Sequence, residues 1–139
     1  MSDETRRAHR RLGWTSLAAW ASFGLAIEAA HGLKLAAYLD DELTRLLLTL
    51  AHAHGVGLAL VVIVFGEAAP TLFAQSSDGG ASLALRTGAL VVPLAFALSA
   101  IAHPEGDPNV LAWLVPPAAL LVIYALVRAA IAAWRAPAE

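Results

Sequence analysis

Cysteine is absent from this sequence of 139 residues, and the single methionine is Met1. The absence of cysteine excludes disulfides, zinc–thiolate sites, iron–sulfur clusters and thiol nucleophiles. Without cysteine or an internal methionine, the chain also lacks the soft ligands that a Cu(I) pathway uses. Several classes of chemistry are therefore excluded by composition alone.

Charge is scarce as well. Charged residues make up 14% of the chain, whereas a soluble domain averages about 25%. The net charge is −2, and there is no basic stripe of the kind that binds nucleic acid. The sequence also has no Gly-rich phosphate loop, nucleophile elbow or His-Glu-x-x-His motif. These absences argue against a nucleic-acid partner and give an enzyme no support.

Hydrophobic residues, in contrast, make up 59% of the chain and form four long segments. A helix needs about 20 apolar residues to cross the roughly 30 Å hydrocarbon core of a bilayer. A soluble helix shows a polar face, which segments two to four lack. The sequence therefore predicts an all-α fold, a single integral-membrane four-helix bundle over residues 1–139 made of two helical hairpins. The helices are predicted at about 12–39, 43–66, 83–102 and 109–134.

Basic residues are distributed unevenly between the two sides of this predicted bundle. Only Lys34 and Arg45 lie on the side away from the N-terminus. Because basic residues accumulate in cytoplasmic loops, both termini are predicted to be cytoplasmic. The expected location is a cell membrane, as a multi-pass protein of the bacterial inner membrane. The residues on the cytoplasmic side are Arg6, Arg7, Arg10, Arg11, Arg86, Arg128 and Arg135.

A few ionisable residues fall inside the apolar segments, where they are costly and usually face the interior of the bundle. If the first hairpin turns near Asp40 and Asp41, Glu28 lies about 12 residues before the turn and His52 about 12 after it. Residues equally far from the turn lie at equal depth, so we expect one polar layer across this hairpin. Its members are Glu28, His31, His52 and His54, with His103 at the edge of the membrane.

Helical spacing predicts which of these side chains face a neighbouring helix. Glu28 and His31 are three residues apart and share one face. Gly24 and Gly32 lie four residues on either side of Glu28, and small residues at this spacing let membrane helices approach closely. We therefore expect the Glu28 face to meet the second segment, with His52 pointing towards it.

The side-chain types in this layer suit a metal ion or a haem. Glu-x-x-His is the ligand spacing of di-metal carboxylate bundles, but those need two such motifs and two further glutamates. A mononuclear site of Glu28, His31 and His52 fits better, because imidazole and carboxylate bind Zn, Fe, Mn, Ni or Cu(II). The alternative cofactor is a b-type haem with His31 or His54 as an axial ligand. His54 or His103 is a further candidate ligand of the metal site.

Simpler interpretations of both polar sets stay open. A protonated Glu28 that hydrogen-bonds a histidine would only hold helices together. A second polar set lies towards the cytoplasmic side and fits an interfacial belt of salt bridges, because long side chains reach the headgroups from there. Its members are Glu67, Arg86, Tyr124 and Arg128.

Three functions agree with these sequence patterns. The first is a membrane protein whose His/Glu site binds a transition metal or haem b. The second is an accessory or assembly subunit of a larger membrane complex, or a homo-oligomer, with no chemistry of its own. The third is a proton or ion pathway through the Glu–His layer. The lipid bilayer is the one partner common to all three.

Overall fold

The computed structural model describes residues 3–74, 77–78 and 80–135. This part of the chain is helical and contains no β-strand. The helices are α1 (Asp3–Gly32), α2 (Ala36–Leu39), α3 (Glu42–Leu72), α4 (Ala81–Ser99) and α5 (Val115–Arg135), and a 3-10 helix (Val110–Leu114) leads into α5. The predicted all-α class is therefore confirmed.

Three of these helical stretches are long and apolar enough to cross a membrane, namely Glu42–Leu72, Ala81–Ser99 and Val110–Arg135. The chain is thus a multi-pass membrane protein. α1 is 30 residues long but does not belong to this set. It carries Thr15, Ser22 and Glu28 among many alanines, and these side chains lower its hydropathy below that of the other three.

α1 starts nine residues before the predicted first segment and ends seven residues before that segment's end. Asp3 and Glu4 occupy its first turn, where negative charge is favoured by the helix dipole. Its end is set by Lys34, which has φ 52 in the left-handed region that terminates helices. The N–H of Leu35 then returns to the carbonyl of Ala30 at 3.0 Å.

α3 begins directly after the connection that contains α2. Asp41 is its N-cap and accepts a hydrogen bond from the N–H of Thr44 at 3.0 Å. The helix continues to Leu72, six residues beyond the predicted end at 66. Pro70 lies in its last turn, and because proline has no N–H it removes one backbone hydrogen bond just before the helix ends.

The end of α4 is fixed by Asn109. The Asn109 amide donates to the carbonyls of Leu98 and Ile101, at 2.9 and 2.7 Å. Its side-chain oxygen accepts from the N–H of Leu111 at 2.9 Å and so caps the 3-10 helix. One residue therefore ends one helix and begins the next, which places α5 back against α4.

α1 runs antiparallel along α3, and glycines allow the close approach. A Cβ added to Gly24 would overlap the His52 ring, and one added to Gly55 would overlap Trp20. At the other end, a Cβ on Gly66 would lie 2.6 Å from the Cβ of His9. The predicted Gly24 contact is thus present, whereas Gly32 has open space around it.

The apolar core lies where α4 packs between α3 and α5. Val62, Phe65, Leu85, Val122 and Ala125 are all buried there. Each long helix packs mainly on the next one along the chain, and α1 and α5 do not touch within the part of the chain that the structure describes. α1 is therefore supported mainly by α3, with a smaller contact to α4 near its N-terminal end.

Candidate functional site

His52 is part of the contact between α3 and α1. Its ring occupies the space left by Gly24, and its Nδ1 donates a hydrogen bond to the carbonyl oxygen of Trp20 at 2.9 Å. A carbonyl that accepts from a side chain on the next helix is a packing interaction of membrane helices. The hydrogen bond from His52 to Trp20 therefore holds α3 and α1 together.

Glu28 lies one helical turn, about 6 Å, beyond Gly24 along α1. Since Gly24 is level with His52, Glu28 is level with the turn of α3 that precedes His52. The offset arises because α1 ends at Gly32 and α2 fills the connection, so the turn is not centred on the acidic pair at 40–41. The expected equal depth of Glu28 and His52 is therefore shifted by one turn.

The Glu28 and His31 side chains are both exposed on the surface of α1. Within the described residues, Glu28 has no hydrogen bond or ion pair. The His31 ring meets the edge of Tyr38, with ring centroids 6.4 Å apart. Neither side chain is buried against α3 as expected, and both belong to the exposed side of α1. The exposed positions from 15 to 32 are called the open face of α1, and they are Thr15, Ala18, Ala19, Ala21, Ser22, Leu25, Ala26, Glu28, Ala29, His31 and Gly32.

His54 belongs to a different contact. Its Nδ1 donates to the carbonyl of Leu50 at 2.8 Å, and its ring packs on Phe96 of α4 with centroids 5.1 Å apart. It thus lies between α3 and α4, on the side of α3 away from α1.

His103 connects the segment after α4 to the start of α3. Its Nε2 lies 2.8 Å from Oδ2 of Asp41 and 3.0 Å from Oγ1 of Thr44, and its Nδ1 donates to the Pro104 carbonyl at 2.8 Å. The Pro104 carbonyl and then the Asp41 charge raise the pKa of His103 against its partial burial. The Thr44 N–H and the His103 charge lower the pKa of Asp41. With acceptors at both ring nitrogens, the imidazolium form is favoured.

An open cleft of about 730 Å³ adjoins this histidine. Most of its polar lining is acidic, in agreement with the acidic turns seen in the sequence. The lining residues are Asp40, Asp41, Glu42, Leu43, Leu46, His103, Glu105 and Gly106.

The described residues contain no group of three or more His, Asp or Glu side chains that could hold a metal ion. The five candidate ligands fall into separate places instead. Glu28 and His31 are on the open face of α1, His52 is under α1, His54 faces α4, and His103 is in the connection after α4. A single chain therefore does not gather the ligands for the predicted metal or haem site.

His9 makes a polar contact that the sequence patterns did not predict. It is fully buried, with Nε2 2.8 Å from Oγ of Ser82 and its ring 5.3 Å from that of Phe65. It lies on the same stripe of α1 as Gly13 and Gly24, at helical spacing. Extending the Gly24 stripe towards the N-terminus would have found it.

The members of the second polar set lie on α3, α4 and α5 and make separate contacts. Glu67 pairs with Arg10 of α1, and one of their two hydrogen bonds, from Nη2 to Oε2, is 3.1 Å. Arg128 donates to the Tyr124 hydroxyl at 3.3 Å and to the Ser77 carbonyl at 3.0 Å. The guanidinium of Arg86 lies 3.4 Å from the carbonyl of Ser82.

The chain matches no protein-family model, and it has no significant match among curated proteins or solved structures. Its function must therefore be inferred from its own residues and their geometry.

Proposed function

We propose that this protein is a subunit of a membrane complex, with no chemistry of its own, that docks through the open face of α1. The partner is a membrane helix with small side chains and a polar group able to pair with Glu28. The observation that supports this most is the polarity of the exposed α1 surface. Leu25 is the single large aliphatic residue among the exposed positions from 15 to 32.

The exposed side chains of α5 can be compared with those of α1. The exposed positions of α5 carry large aliphatic residues, including Leu120, Ile123 and Val127, which suit contact with lipid tails. The exposed side of α1 carries Ser22 and Glu28 among alanines instead. Small and polar residues are typical of helix–helix contacts in membranes, because lipid offers them neither packing nor hydrogen bonds.

The position of α1 along α3 supports a fourth crossing of the membrane. The contacts between the two helices extend from His52 to Gly66 of α3, which is about 21 Å along the helix axis. A helix packed over this length of a spanning helix lies across most of a hydrocarbon core of about 30 Å. In this proposal α1 and α3 form one hairpin and α4 and α5 the other, with the basic ends cytoplasmic.

A proton pathway receives less support from the same contacts. His52 donates to a backbone carbonyl of α1, and His54 donates to a carbonyl of its own helix. No chain of hydrogen bonds joins either ring to Glu28 among the described residues. Proton transfer needs such a connection or ordered water between the groups.

Site-specific photocrosslinking in the native membrane tests the proposal. A photoreactive benzoylphenylalanine in place of Ser22 should give a protein adduct of higher mass, because the open face of α1 would contact another chain. The same residue in place of Ile123, which is 54% exposed on α5, is the matched control and should give no protein adduct. If neither position crosslinks to protein, α1 faces lipid and the proposal fails.

A further inference from the structure

The N-terminal end of α1 carries four arginines that differ in their surroundings. Two of them form ion pairs within the chain, and these pairs are Arg6 with Asp3 and Arg10 with Glu67. Arg7 and Arg11 are exposed and make no hydrogen bond or ion pair among the residues that the structure describes. Glu4, one turn before Arg7, forms an ion pair with neither of them there. Two guanidinium charges are therefore left without a partner in this part of the chain.

The two unpaired arginines share one face of α1. They are four residues apart, and Trp14, which is 61% exposed, follows three residues later on the same face. His9, which is fully buried and bonded to α4, lies on the opposite face, because two residues turn a helix by about 200°. Arg7 and Arg11 are therefore available to a group outside the chain.

The depth of these arginines in the membrane follows from α3. Residues 46–66 of α3 contain no Asp, Glu, Lys or Arg, and at about 1.5 Å per residue this stretch matches a hydrocarbon core of about 30 Å. Glu67 is then at the edge of the core, and its pairing with Arg10 brings Arg7 and Arg11 to the same edge. Trp14 lies about one turn further in, where amphipathic aromatic rings are found.

We propose that Arg7 and Arg11 bind the phosphate of an anionic phospholipid, such as phosphatidylglycerol, in the leaflet around this end of the protein. A guanidinium binds a phosphate through two parallel hydrogen bonds, and side chains four residues apart on a helix reach the same headgroup. An anionic headgroup balances the unpaired charges, whereas a zwitterionic one brings its own cation. The proposal is independent of what covers the open face of α1, because neither arginine belongs to that face.

Titration of the purified full-length protein with lipid, followed by native mass spectrometry, tests the site. Dioleoyl phosphatidylglycerol and dioleoyl phosphatidylcholine have the same acyl chains, so the ratio of their dissociation constants reports the headgroup. Wild-type protein should prefer phosphatidylglycerol, and Arg7→Gln and Arg11→Gln should each reduce this preference about fivefold. Arg6→Gln is the matched control, because it removes the same charge from a guanidinium that is already paired with Asp3. It should keep the preference.

Circular dichroism should show the same helix content in all three variants, because the exposed arginines hold no other element of the fold in place. Equal binding of both lipids by the wild type would leave the two charges to another partner, such as an acidic protein, and would overturn the proposal. A preference that survives in the double variant Arg7→Gln and Arg11→Gln would place the lipid elsewhere on the protein. An equal loss in Arg6→Gln would show that only the total charge matters, and it too would overturn the site.

Discussion

His103 and Asp41 connect the segment that follows α4 to the first turn of α3, with Nε2 and Oδ2 2.8 Å apart. Asp41 also caps α3 through the Thr44 N–H, so one carboxylate serves a helix end and an ion pair at once. The His103 side chain is 9% exposed, although its neighbours in the acidic turn are solvated. The end of the protein at the start of α3 therefore contains a titratable contact between α3 and the segment after α4.

This contact predicts a pH dependence of stability. The pKa of His103 is raised, so its contribution is complete below its ordinary value of about 6.5 and is lost as the pH rises through the folded value. The pKa of Asp41 is lowered, so its contribution is present above its ordinary value of about 3.9 and is lost as the pH falls through the folded value. Stability from the pair should be greatest between about pH 4 and 6.5.

The measurement is thermal unfolding in detergent from pH 5 to pH 8. Wild-type protein should lose stability as the pH rises, and His103→Ala should flatten this dependence. Glu105→Gln, an exposed residue of the same cleft, should leave the profile unchanged. A His103→Ala profile parallel to that of the wild type would show that another group titrates.

A second prediction concerns the contact between α1 and α3. Gly24→Ala places a methyl group where the His52 ring lies, so the helices must separate or the ring must leave the Trp20 carbonyl. We expect a loss of about 1–3 kcal/mol in the free energy of unfolding, as for other overpacked sites. Gly57→Ala is the matched control, because nothing lies within 4 Å of a Cβ there.

The control should be neutral or slightly stabilising, since alanine is favoured over glycine within a helix by about 0.5–1 kcal/mol. Unfolding by a denaturing detergent measures both variants. Equal stability of Gly24→Ala and Gly57→Ala would mean that α1 does not lie on α3 at His52.

The buried bond between His9 and Ser82 leads to a third prediction. Ser82→Ala leaves Nε2 of His9 buried without its partner, which should cost about 1–3 kcal/mol in stability. Ser99→Ala is the comparison, because that buried hydroxyl donates only to the Phe96 carbonyl of its own helix at 2.8 Å. A double-mutant cycle between His9→Ala and Ser82→Ala should give a coupling of about 1 kcal/mol. Additive effects would show that the two side chains do not interact.

The helical class and the membrane location followed from the long apolar runs, because a spanning helix must satisfy its backbone within itself. The positions of the helix ends were harder to predict from the sequence. The stop after Gly32 depends on the backbone conformation of Lys34, and the stop after Ser99 on hydrogen bonds from Asn109, ten residues later. A hydropathy pattern contains neither kind of information.

The alignment of the residues in the predicted polar layer was equally hard to predict from the sequence. Measuring depth from the acidic turn placed Glu28 level with His52, but the short helix α2 shifted that alignment by one turn. Helical spacing correctly placed His52 against α1 and Gly24. It could not show that Glu28, on the same helix face, lies at the edge of the contact and remains exposed. That distinction depends on how far α1 is rotated about its own axis where it packs on α3.

The fourth prediction concerns orientation across the membrane, which rests on the basic residues. Single cysteines in this cysteine-free chain report their side of the membrane without background. In intact cells, an impermeant thiol reagent should label Glu105→Cys, in the acidic turn, and should not label Glu4→Cys or Ser77→Cys. All three positions are exposed, so accessibility within the protein does not decide the result. Labelling of Glu4→Cys together with Glu105→Cys, while Ser77→Cys stays protected, would mean that α1 does not cross the membrane beside α3.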